Sequence, residues 1–383
     1  MPTTKSLSVN KMLFVEIIGH ETLSYGQTLK FTREKTMLGI LKHTARFAVI
    51  AAAALSILLG GCGSGPEEKP AKEGKPVVGV LVYRQDDTYI GLVTKAIVAA
   101  FSDKVEVTVL FAENDQLLQN GQIDTLLRKK VDALALNIVD TQAAGAAVDT
   151  IKKAGIPVVF FNREPDLAGI KAYDRARFVG TDPFDAGIMQ GDIIKELWEK
   201  HPEFDKNRDG KFQYLMIQAN LDNSEALART EYSVKQARAV GVPMSQVGET
   251  LLCSWDKSIA LEAVTTTFPL YEGKIELIIA NNDAMALGAI QALNKTGYNL
   301  PGGDRAKFIP IVGVDAIPDA VAAIKGGVMS GTVVQDSDSM GKAIAAMLLN
   351  AVDGKDFLNG LPYSWDESGI AVRIPYSRFV NAD

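Results

Sequence analysis

The chain has 383 residues, which is long enough for two medium-sized lobes that each bury a core. Hydrophobic residues make up 47% and charged residues 22% of the chain, an ordinary balance for a soluble globular protein. The net charge of −6 and the lack of any extended Lys or Arg run after residue 75 argue against a nucleic-acid partner, because phosphate binding needs a concentrated basic face.

An export signal is predicted at residues 37–61. Lys42 and Arg46 precede an apolar stretch of thirteen residues, 47–59, which is typical of a signal peptide and shorter than the about 20 residues of a membrane-spanning helix. The residues that follow, Gly60-Gly61-Cys62, complete a resemblance to a bacterial lipobox. We therefore expect lipidation of Cys62 after cleavage, and the alternative is an uncleaved N-terminal anchor.

Two segments flank this signal. Residues 1–36 precede a complete signal and contain no interpretable pattern, so we interpret them as a non-native extension that begins at the wrong Met. Residues 62–75 consist largely of Gly, Pro and charged residues, with few apolar side chains to bury. They are predicted to form a flexible tether that holds the globular part off a membrane.

From residue 76 onward, short β-branched runs alternate with amphipathic segments of helical length. Strands are predicted at 77–83, 105–112, 133–138, 157–162, 177–180, 212–218, near 247–252, and at 275–281, 309–315 and 330–335. Helices are predicted between them, for example at 88–102, 116–130, 141–154 and 224–240. Apolar strands separated by helices indicate parallel sheets that are covered on both faces.

The number of predicted strands exceeds what one compact sheet holds, and the pattern restarts after residue 181. We therefore predict an α/β fold of two similar lobes. Their expected ranges are 76–181 plus 336–368 for the first lobe and 182–335 plus 369–383 for the second. The chain is expected to cross between the lobes near Thr181, Gln335 and Gly369.

Polar and aromatic residues follow the predicted strands at their carboxyl ends. They are Asp87, Tyr89, Asn162, Asn282, Asp315 and Gln335. In open parallel sheets, ligands bind beyond the carboxyl ends of the strands. This placement therefore predicts a binding cleft between the lobes.

At these residues the sequence resembles the periplasmic galactose/glucose-binding proteins, within the wider class of type I sugar-binding proteins of ABC transporters. The resemblance extends from Val78 to Tyr376. It is carried by five segments: YRQDDTY at 83–89, PVVFFNREP at 157–165, VGTD at 179–182, IANNDAMA at 279–286 and GVDAIP at 313–318.

This resemblance implies a pyranose held between the aromatic rings of Tyr89 and Trp255. It further implies hydroxyl recognition by planar polar side chains, namely Asp87, Asn162, Arg229, Asn282 and Asp315. A buried polar group without a partner costs about 1–3 kcal/mol, so a missing or inverted hydroxyl is penalised. For Asp87 and Asp315, helix N-capping is the alternative role at a strand–helix turn.

The sequence departs from the family pattern at several cleft positions. Asn223 and Glu225 stand where the family usually has His and Asp, and Tyr89 stands where Phe is usual. Gln335 occupies a position that is commonly Asn in hexose binders and resembles the ribose-binding relatives. These departures leave the preference for individual sugar hydroxyls open, and a ribose-like pentose is the alternative ligand.

A calcium site is predicted at DKNRDGKFQ, residues 205–213, which matches the first nine positions of an EF-hand loop. The expected ligands are the side chains of Asp205, Asn207, Asp209 and Gln213 and the carbonyl oxygen of Lys211. Position 12 is Met216 instead of Glu, and the resemblance implies that the remote Glu276 completes the site. The alternative is a polar turn without an ion.

Other functional classes have little support. Only His201 among the three histidines follows the signal segment, so a Ser-His-Asp triad or a multi-histidine metal site would depend on that residue alone. The chain lacks a G-x-x-x-x-G-K-[ST] loop, and we predict no enzymatic activity. A transcription regulator with this fold would need a helix-turn-helix where the lipobox and the tether lie.

The sequence thus predicts an exported binding lipoprotein, anchored to a bacterial membrane, that captures glucose or galactose and delivers it to an ABC transporter permease. A structural Ca²⁺ and a monomeric state are expected. Signalling through a chemoreceptor is an alternative or additional role that the sequence leaves open.

Overall fold

The computed structural model describes residues 74–381. Its strands are β1 (Val77–Val82), β2 (Glu106–Phe111), β3 (Ala133–Leu136), β4 (Val158–Phe161), β5 (Ala176–Gly180), β6 (Phe212–Gln218), β7 (Met244–Gln246), β8 (Leu251–Leu252), β9 (Leu277–Ala280), β10 (Ile311–Asp315), β11 (Gly331–Gln335), β12 (Ala371–Arg373) and β13 (Tyr376–Val380). Its α-helices are α1 (Thr88–Phe101), α2 (Gln116–Arg128), α3 (Ala144–Ala154), α4 (Leu167–Ile170), α5 (Pro183–Lys200), α6 (Ser224–Ala239), α7 (Lys257–Thr267), α8 (Asp283–Asn294), α9 (Pro318–Lys325) and α10 (Ser337–Val352).

The predicted extension, signal peptide and lipidation site, and the tether up to residue 73, lie outside the described residues. Within residues 74–381, no helix combines the length and the apolar character that crossing a membrane requires.

The first lobe is built on a six-stranded sheet with the spatial order β12–β5–β4–β3–β1–β2. All of its strand pairs are parallel, as the alternation of strands and helices predicts. Strands β3 and β4 are buried at every residue, because helices cover both faces of this sheet. Helices α1 and α10 pack so closely that a Cβ atom on Gly341 would lie 2.4 Å from the Cβ atom of Ala96.

The second lobe is built on a sheet with the order β13–β11–β10–β9–β6–β7, and β8 also pairs with β6. The strand expected near 247–252 is wrong as a single element, because β7 and β8 form separate short pairs with β6. The last strand, β13, runs antiparallel to β11 at the edge of the sheet.

Helix ends follow the signals in the sequence. Gly155 ends α3 with a φ of 71°, a left-handed conformation that costs glycine little, and Pro157 leads into β4. Gly241 takes a φ of 96° directly after α6. Each ending turns the chain back toward the next parallel strand and fixes where that strand begins.

Two of the three predicted crossovers are confirmed. Strand β5 belongs to the first sheet and α5 packs on the second, while β11 belongs to the second sheet and α10 packs on the first. The third prediction is wrong, because β12 pairs with β5 in the first sheet. The Ile374 amide still donates to the Gly180 carbonyl at 2.7 Å, so the last crossover lies at Pro375 and not at Gly369.

Candidate functional site

A cavity of about 360 Å³ lies between the lobes, beyond the carboxyl ends of the strands of both sheets. This volume includes space that is open to solvent at the mouth of the cleft. The first lobe contributes Tyr83, Asp87, Tyr89, Ile90, Asn162 and Arg163 to its lining. The second lobe contributes Asn223, Glu225, Arg229, Trp255, Asn282, Asp315 and Gln335.

All ten cleft side chains that the sequence predicted line this cavity. Three further residues, Tyr83, Ile90 and Arg163, were not anticipated. Tyr83 and Arg163 lie inside the segments that carry the family resemblance, and Arg163 directly follows Asn162. Their position in those segments was a signal that sequence reasoning had available and did not use.

Asp87 caps the N-terminus of α1, the alternative role considered for it, and it also lines the cavity. One carboxylate oxygen of Asp87 accepts from the Ile90 amide at 2.9 Å, and the other accepts from the Tyr83 hydroxyl at 2.5 Å. Asn223 and Asn282 cap α6 and α8 in the same way. For Asp315 the capping role is wrong, because the N-cap of α9 is Ile317, without a side-chain hydrogen bond.

Three lining residues adopt positive φ angles. These are 61° at Asn162, 62° at Trp255 and 118° at Asp315. Asparagine and aspartate adopt positive φ angles more readily than most residues with a side chain, whereas tryptophan does so at an energetic cost. Asn162 and Trp255 follow β4 and β8, Asp315 is the last residue of β10, and all three side chains line the cavity.

Arg229 is 2% exposed and is bonded from several directions. Its guanidinium donates to the Asn281 carbonyl (2.9 Å), Glu225 Oε2 (3.3 Å), Gln335 Oε1 (3.2 Å) and the Tyr376 hydroxyl (3.1 Å). It also lies 3.8 Å from Asp315 Oδ1 and over the ring of Trp255, 5.5 Å from the ring centre. Burial opposes its charge, but Tyr376, Glu225 and Asp315 hold the pKa of Arg229 above its ordinary value.

Two buried carboxyl groups lie at the end of β10. Burial raises the pKa of Asp315 well above its ordinary value, although the charge of Arg229 opposes the shift. Behind it, burial raises the pKa of Asp283 to about 7. Asp283 accepts from the Thr332 hydroxyl at 2.7 Å and from the Ile317 amide at 3.1 Å, and these bonds hold the turn that carries Asp315.

The raised pKa of Asp283 predicts a pH-dependent stability. The folded protein keeps this proton up to about pH 7, whereas an unfolded aspartate releases it near about pH 4. The folded state therefore binds the extra proton in this window, and the free energy of unfolding falls as pH rises through it. Asp283→Asn should remove about 2–4 kcal/mol of this fall, measured by denaturant unfolding between pH 4.5 and 7.5.

The matched control is Asp319→Asn, since Asp319 lies exposed in the first turn of the neighbouring helix α9. It should leave the pH profile of the wild type unchanged. If Asp283→Asn keeps the wild-type profile as well, Asp283 is not the group that retains the proton.

A direct contact joins the two lobes at the mouth of the cavity. The Arg84 guanidinium, in the loop after β1, donates to the Ser254 carbonyl oxygen of the second lobe at 3.2 Å. The same guanidinium lies 3.9 Å from Asp256 and is paired with Asp86 at 2.8 Å. The lobes therefore meet across the cleft in this structure.

The predicted calcium loop folds around its own carboxylates. Asp205 and Asn207 accept from the Asp209 amide at 3.1 and 2.9 Å, and Asp205 also accepts from the Gly210 amide at 2.9 Å. Gly210 has a φ of 73°, as the sharp turn requires. Lys211 follows on the surface.

Glu276 lies beside this loop, as the resemblance implies. Its fully buried carboxylate accepts from the amides of Lys206 (2.7 Å), Asn207 (3.3 Å) and Gln213 (3.2 Å), and burial raises its pKa. The side-chain nitrogen Nε2 of Gln213 donates to the Asp209 carboxylate at 2.6 Å, and the buried side-chain oxygen Oε1 of Gln213 has no protein partner. Among residues 74–381, no three His, Cys, Asp or Glu side chains are grouped closely enough to hold an ion.

The chain is similar to known binding proteins. The family of periplasmic binding protein domains matches residues 78–356. The D-galactose/methyl-galactoside binding periplasmic protein of Haemophilus influenzae is 36% identical over 333 residues, which cover 86% of this chain and 95% of that protein. The ribose import binding protein of Bacillus subtilis is 25% identical over 306 residues, or 78% of this chain and 90% of that protein.

Solved structures share the two-lobe architecture. A solute-binding protein of an ABC transporter from Bacillus halodurans, with bound myo-inositol, superposes with a TM-score of 0.65 at 25% identity, covering 81% of this chain and 96% of that one. A relative from Actinobacillus succinogenes, with bound D-allose, superposes with a TM-score of 0.66 at 21% identity over 80% of this chain and 98% of that one. The expected two-lobe α/β fold is confirmed.

Proposed function

This chain belongs to the family of periplasmic binding proteins, as a sugar-binding component of ABC importers, and from that premise we propose that it captures a hexose, glucose or galactose, and delivers it to an importer. The family consists of substrate-binding transport proteins, and we propose accordingly that the cleft catalyses no reaction. A pentose ligand and contact with a chemoreceptor are the alternatives to this reading.

The observation that carries the proposal is the composition of the cavity. Tyr89 and Trp255 contribute aromatic surface from opposite lobes, and apolar C–H faces of a pyranose pack well on such rings. Carboxylates, amides and Arg229 supply donors and acceptors for hydroxyl groups. The Nε atom of Arg229 is buried without a protein partner, so a ligand oxygen would satisfy it.

Calorimetric titration of the purified protein with glucose, galactose, ribose and myo-inositol tests this proposal. We expect micromolar or tighter binding of glucose or galactose and at least about tenfold weaker binding of ribose, about 1.4 kcal/mol. Tighter binding of ribose would favour the pentose alternative that Gln335 suggested. The absence of binding by all four compounds would refute a sugar ligand of these classes.

The family places the globular part outside the cytoplasm. We propose in addition that a lipid on Cys62 anchors the protein to the membrane and that the protein acts as a monomer. Replacing Cys62 by serine should abolish incorporation of a labelled fatty acid, because the other cysteine, Cys253, is buried in the second lobe.

Cys253→Ser is the control for this experiment and should keep the full label. Label that remains on the Cys62→Ser protein would show that the lipobox interpretation is wrong.

We also propose that the loop beside Glu276 holds a structural Ca²⁺. The ligands would be Asp205, Asn207, Asp209, Gln213, Glu276 and the carbonyl oxygen of Lys211, and bound calcium would supply a charge that draws these oxygens together. Their donor chemistry fits a hard cation, and the side-chain oxygen of Gln213 is buried without a protein partner. The ion would tie the loop before β6 to the start of β9.

Removal of calcium should therefore lower the melting temperature. At calcium concentrations 100-fold above the dissociation constant, the ion contributes about 2.7 kcal/mol, so excess chelator should shift melting by about 5 °C. Asp205→Asn should reduce this shift, and the affinity for sugar should change little. An unchanged melting curve, in protein first shown to contain the metal, would contradict a structural role.

A further inference from the structure

The three segments that connect the lobes converge on one buried cluster. Thr181 directly follows β5 at the first crossing, Gln335 ends β11 at the second, and Tyr376 begins β13 after the third. Each of these side chains is at most 6% exposed. Together with Arg229 they form what we call the hinge cluster.

Tyr376 contacts two of the other members through its hydroxyl group. Its hydroxyl oxygen accepts from Arg229 Nη2 at 3.1 Å and lies 2.8 Å from Thr181 Oγ1. Gln335 completes the cluster, because its Oε1 accepts from Arg229 at 3.2 Å and its Nε2 approaches Thr181 Oγ1 at 3.5 Å. One hydroxyl group thus bridges the guanidinium of the cavity and the first crossover.

The directions of these bonds follow from the donors present. A guanidinium only donates, so the Tyr376 oxygen accepts from Arg229 and its proton is available for Thr181. Thr181 Oγ1 in turn is approached by Gln335 Nε2 at 3.5 Å, and Gln335 Oε1 accepts from Arg229 at 3.2 Å. The four groups form a closed ring, in which loss of one hydroxyl breaks two bonds.

The first-lobe side of this ring is anchored separately. Arg373, in β12, donates to the Thr181 carbonyl oxygen at 2.9 Å and to both carboxylate oxygens of Glu164 at 2.6 Å. Only Pro375 and Ile374 separate this anchor from Tyr376, whose strand β13 pairs in the second sheet. A rotation of the lobes must therefore change the geometry between Thr181 and Tyr376.

We propose that the Tyr376 hydroxyl is a positioning group that couples the sugar-contacting guanidinium of Arg229 to the hinge. When the lobes are closed, the ring of hydrogen bonds holds Arg229 in the orientation that faces the cavity. When they separate, the Thr181–Tyr376 bond opens and Arg229 loses part of its support. The inference rests on the proposed sugar function and adds a residue through which binding and closure act on each other.

Tyr376→Phe removes the hydroxyl group and keeps the aromatic side chain, which packs in the core of the second lobe. We expect sugar affinity to fall about tenfold, the effect of losing one hydrogen bond to a charged group. The sugar-induced decrease in the radius of gyration, measured by X-ray scattering, should also become smaller. The control is Tyr214→Phe, since the Tyr214 hydroxyl in β6 pairs with Gln246 at 3.3 Å, away from the cavity.

A double-mutant cycle separates coupling from a merely structural role. Thr181→Val removes the second hydroxyl of the ring, and Thr181→Ser keeps it. If the hydroxyls act together, the Tyr376→Phe and Thr181→Val losses in affinity should be clearly less than additive, and Thr181→Ser should bind nearly as wild type.

Wild-type affinity in Tyr376→Phe, or additive losses in the cycle, would overturn the inference while leaving the sugar function intact. Failure of the wild type itself to bind any tested sugar would instead overturn the proposed function, and the inference with it. If ribose is the sugar bound, the same variants are measured with ribose.

Discussion

Replacing Arg229 by methionine is expected to lower sugar affinity at least about 100-fold and to destabilise the fold by about 3–5 kcal/mol. The guanidinium is buried and paired with Glu225 at 3.3 Å and Asp315 at 3.8 Å. Without it, both carboxylates remain in a low-dielectric site without a counter-charge. Calorimetry measures the first effect and denaturant unfolding at pH 7 measures the second.

Two further variants make the Arg229 prediction specific. Arg238→Met, near the end of the same helix α6, removes an arginine that donates to the Met244 carbonyl outside the cavity, and it should bind sugar as wild type. Arg229→Lys keeps the charge but lacks the planar fork that reaches several acceptors at once. It should recover part of the stability and little of the affinity. Wild-type affinity in Arg229→Met would remove Arg229 from the site.

Trp255→Ala is expected to lose at least tenfold in affinity, about 1.4 kcal/mol, together with the fluorescence response to sugar. Trp255 is the tryptophan that lines the cavity. Trp198 packs against Phe212 at 5.3 Å, and Trp365 lies over Arg177 at 5.2 Å, so both should emit a constant background. Titration of tryptophan emission, with calorimetry in parallel, measures both effects.

Trp365→Phe is the control and should keep the sugar response of the wild type. If Trp255→Ala binds hexose as tightly as the wild type by calorimetry, the stacking role of Trp255 is wrong. The aromatic contact would then have to come from other rings at the cavity, such as Tyr83 and Tyr89.

The contact that Arg84 makes between the lobes affects how the Trp255 measurements are interpreted. Arg84 donates to the carbonyl oxygen of Ser254, the residue directly before Trp255. Closure of the lobes and the placement of the Trp255 ring therefore involve the same turn. Ser254 and Trp255 both have positive φ angles, 49° and 62°. A loss of affinity in Trp255→Ala therefore includes any relaxation of this turn, and the fluorescence of Trp365→Phe reports closure with the turn intact.

The sequence by itself determined the features that depend on local pattern. Apolar runs of strand length predicted the parallel sheets, and the helix predicted at 141–154 and the strand predicted at 157–162 correspond to α3 and β4. The positions after each strand predicted the cavity, because the carboxyl ends of parallel strands lie at one edge of a sheet. The resemblance added Arg229, Trp255 and the loop residues Asn223 and Glu225, which no strand end marks.

Tertiary structure alone decided the features that depend on which distant segments meet. The last crossover was placed at Gly369, but β12 is three residues long and its membership in the first sheet is visible only in its pairing with β5. Tyr376 carried no local signal, since an isolated tyrosine at the start of an edge strand resembles any other. Its hydroxyl reaches Thr181 and Arg229, 195 and 147 residues away in the chain. Such contacts depend on how the two lobes pack around the three crossovers. The spacing of residues along the chain does not predict that packing.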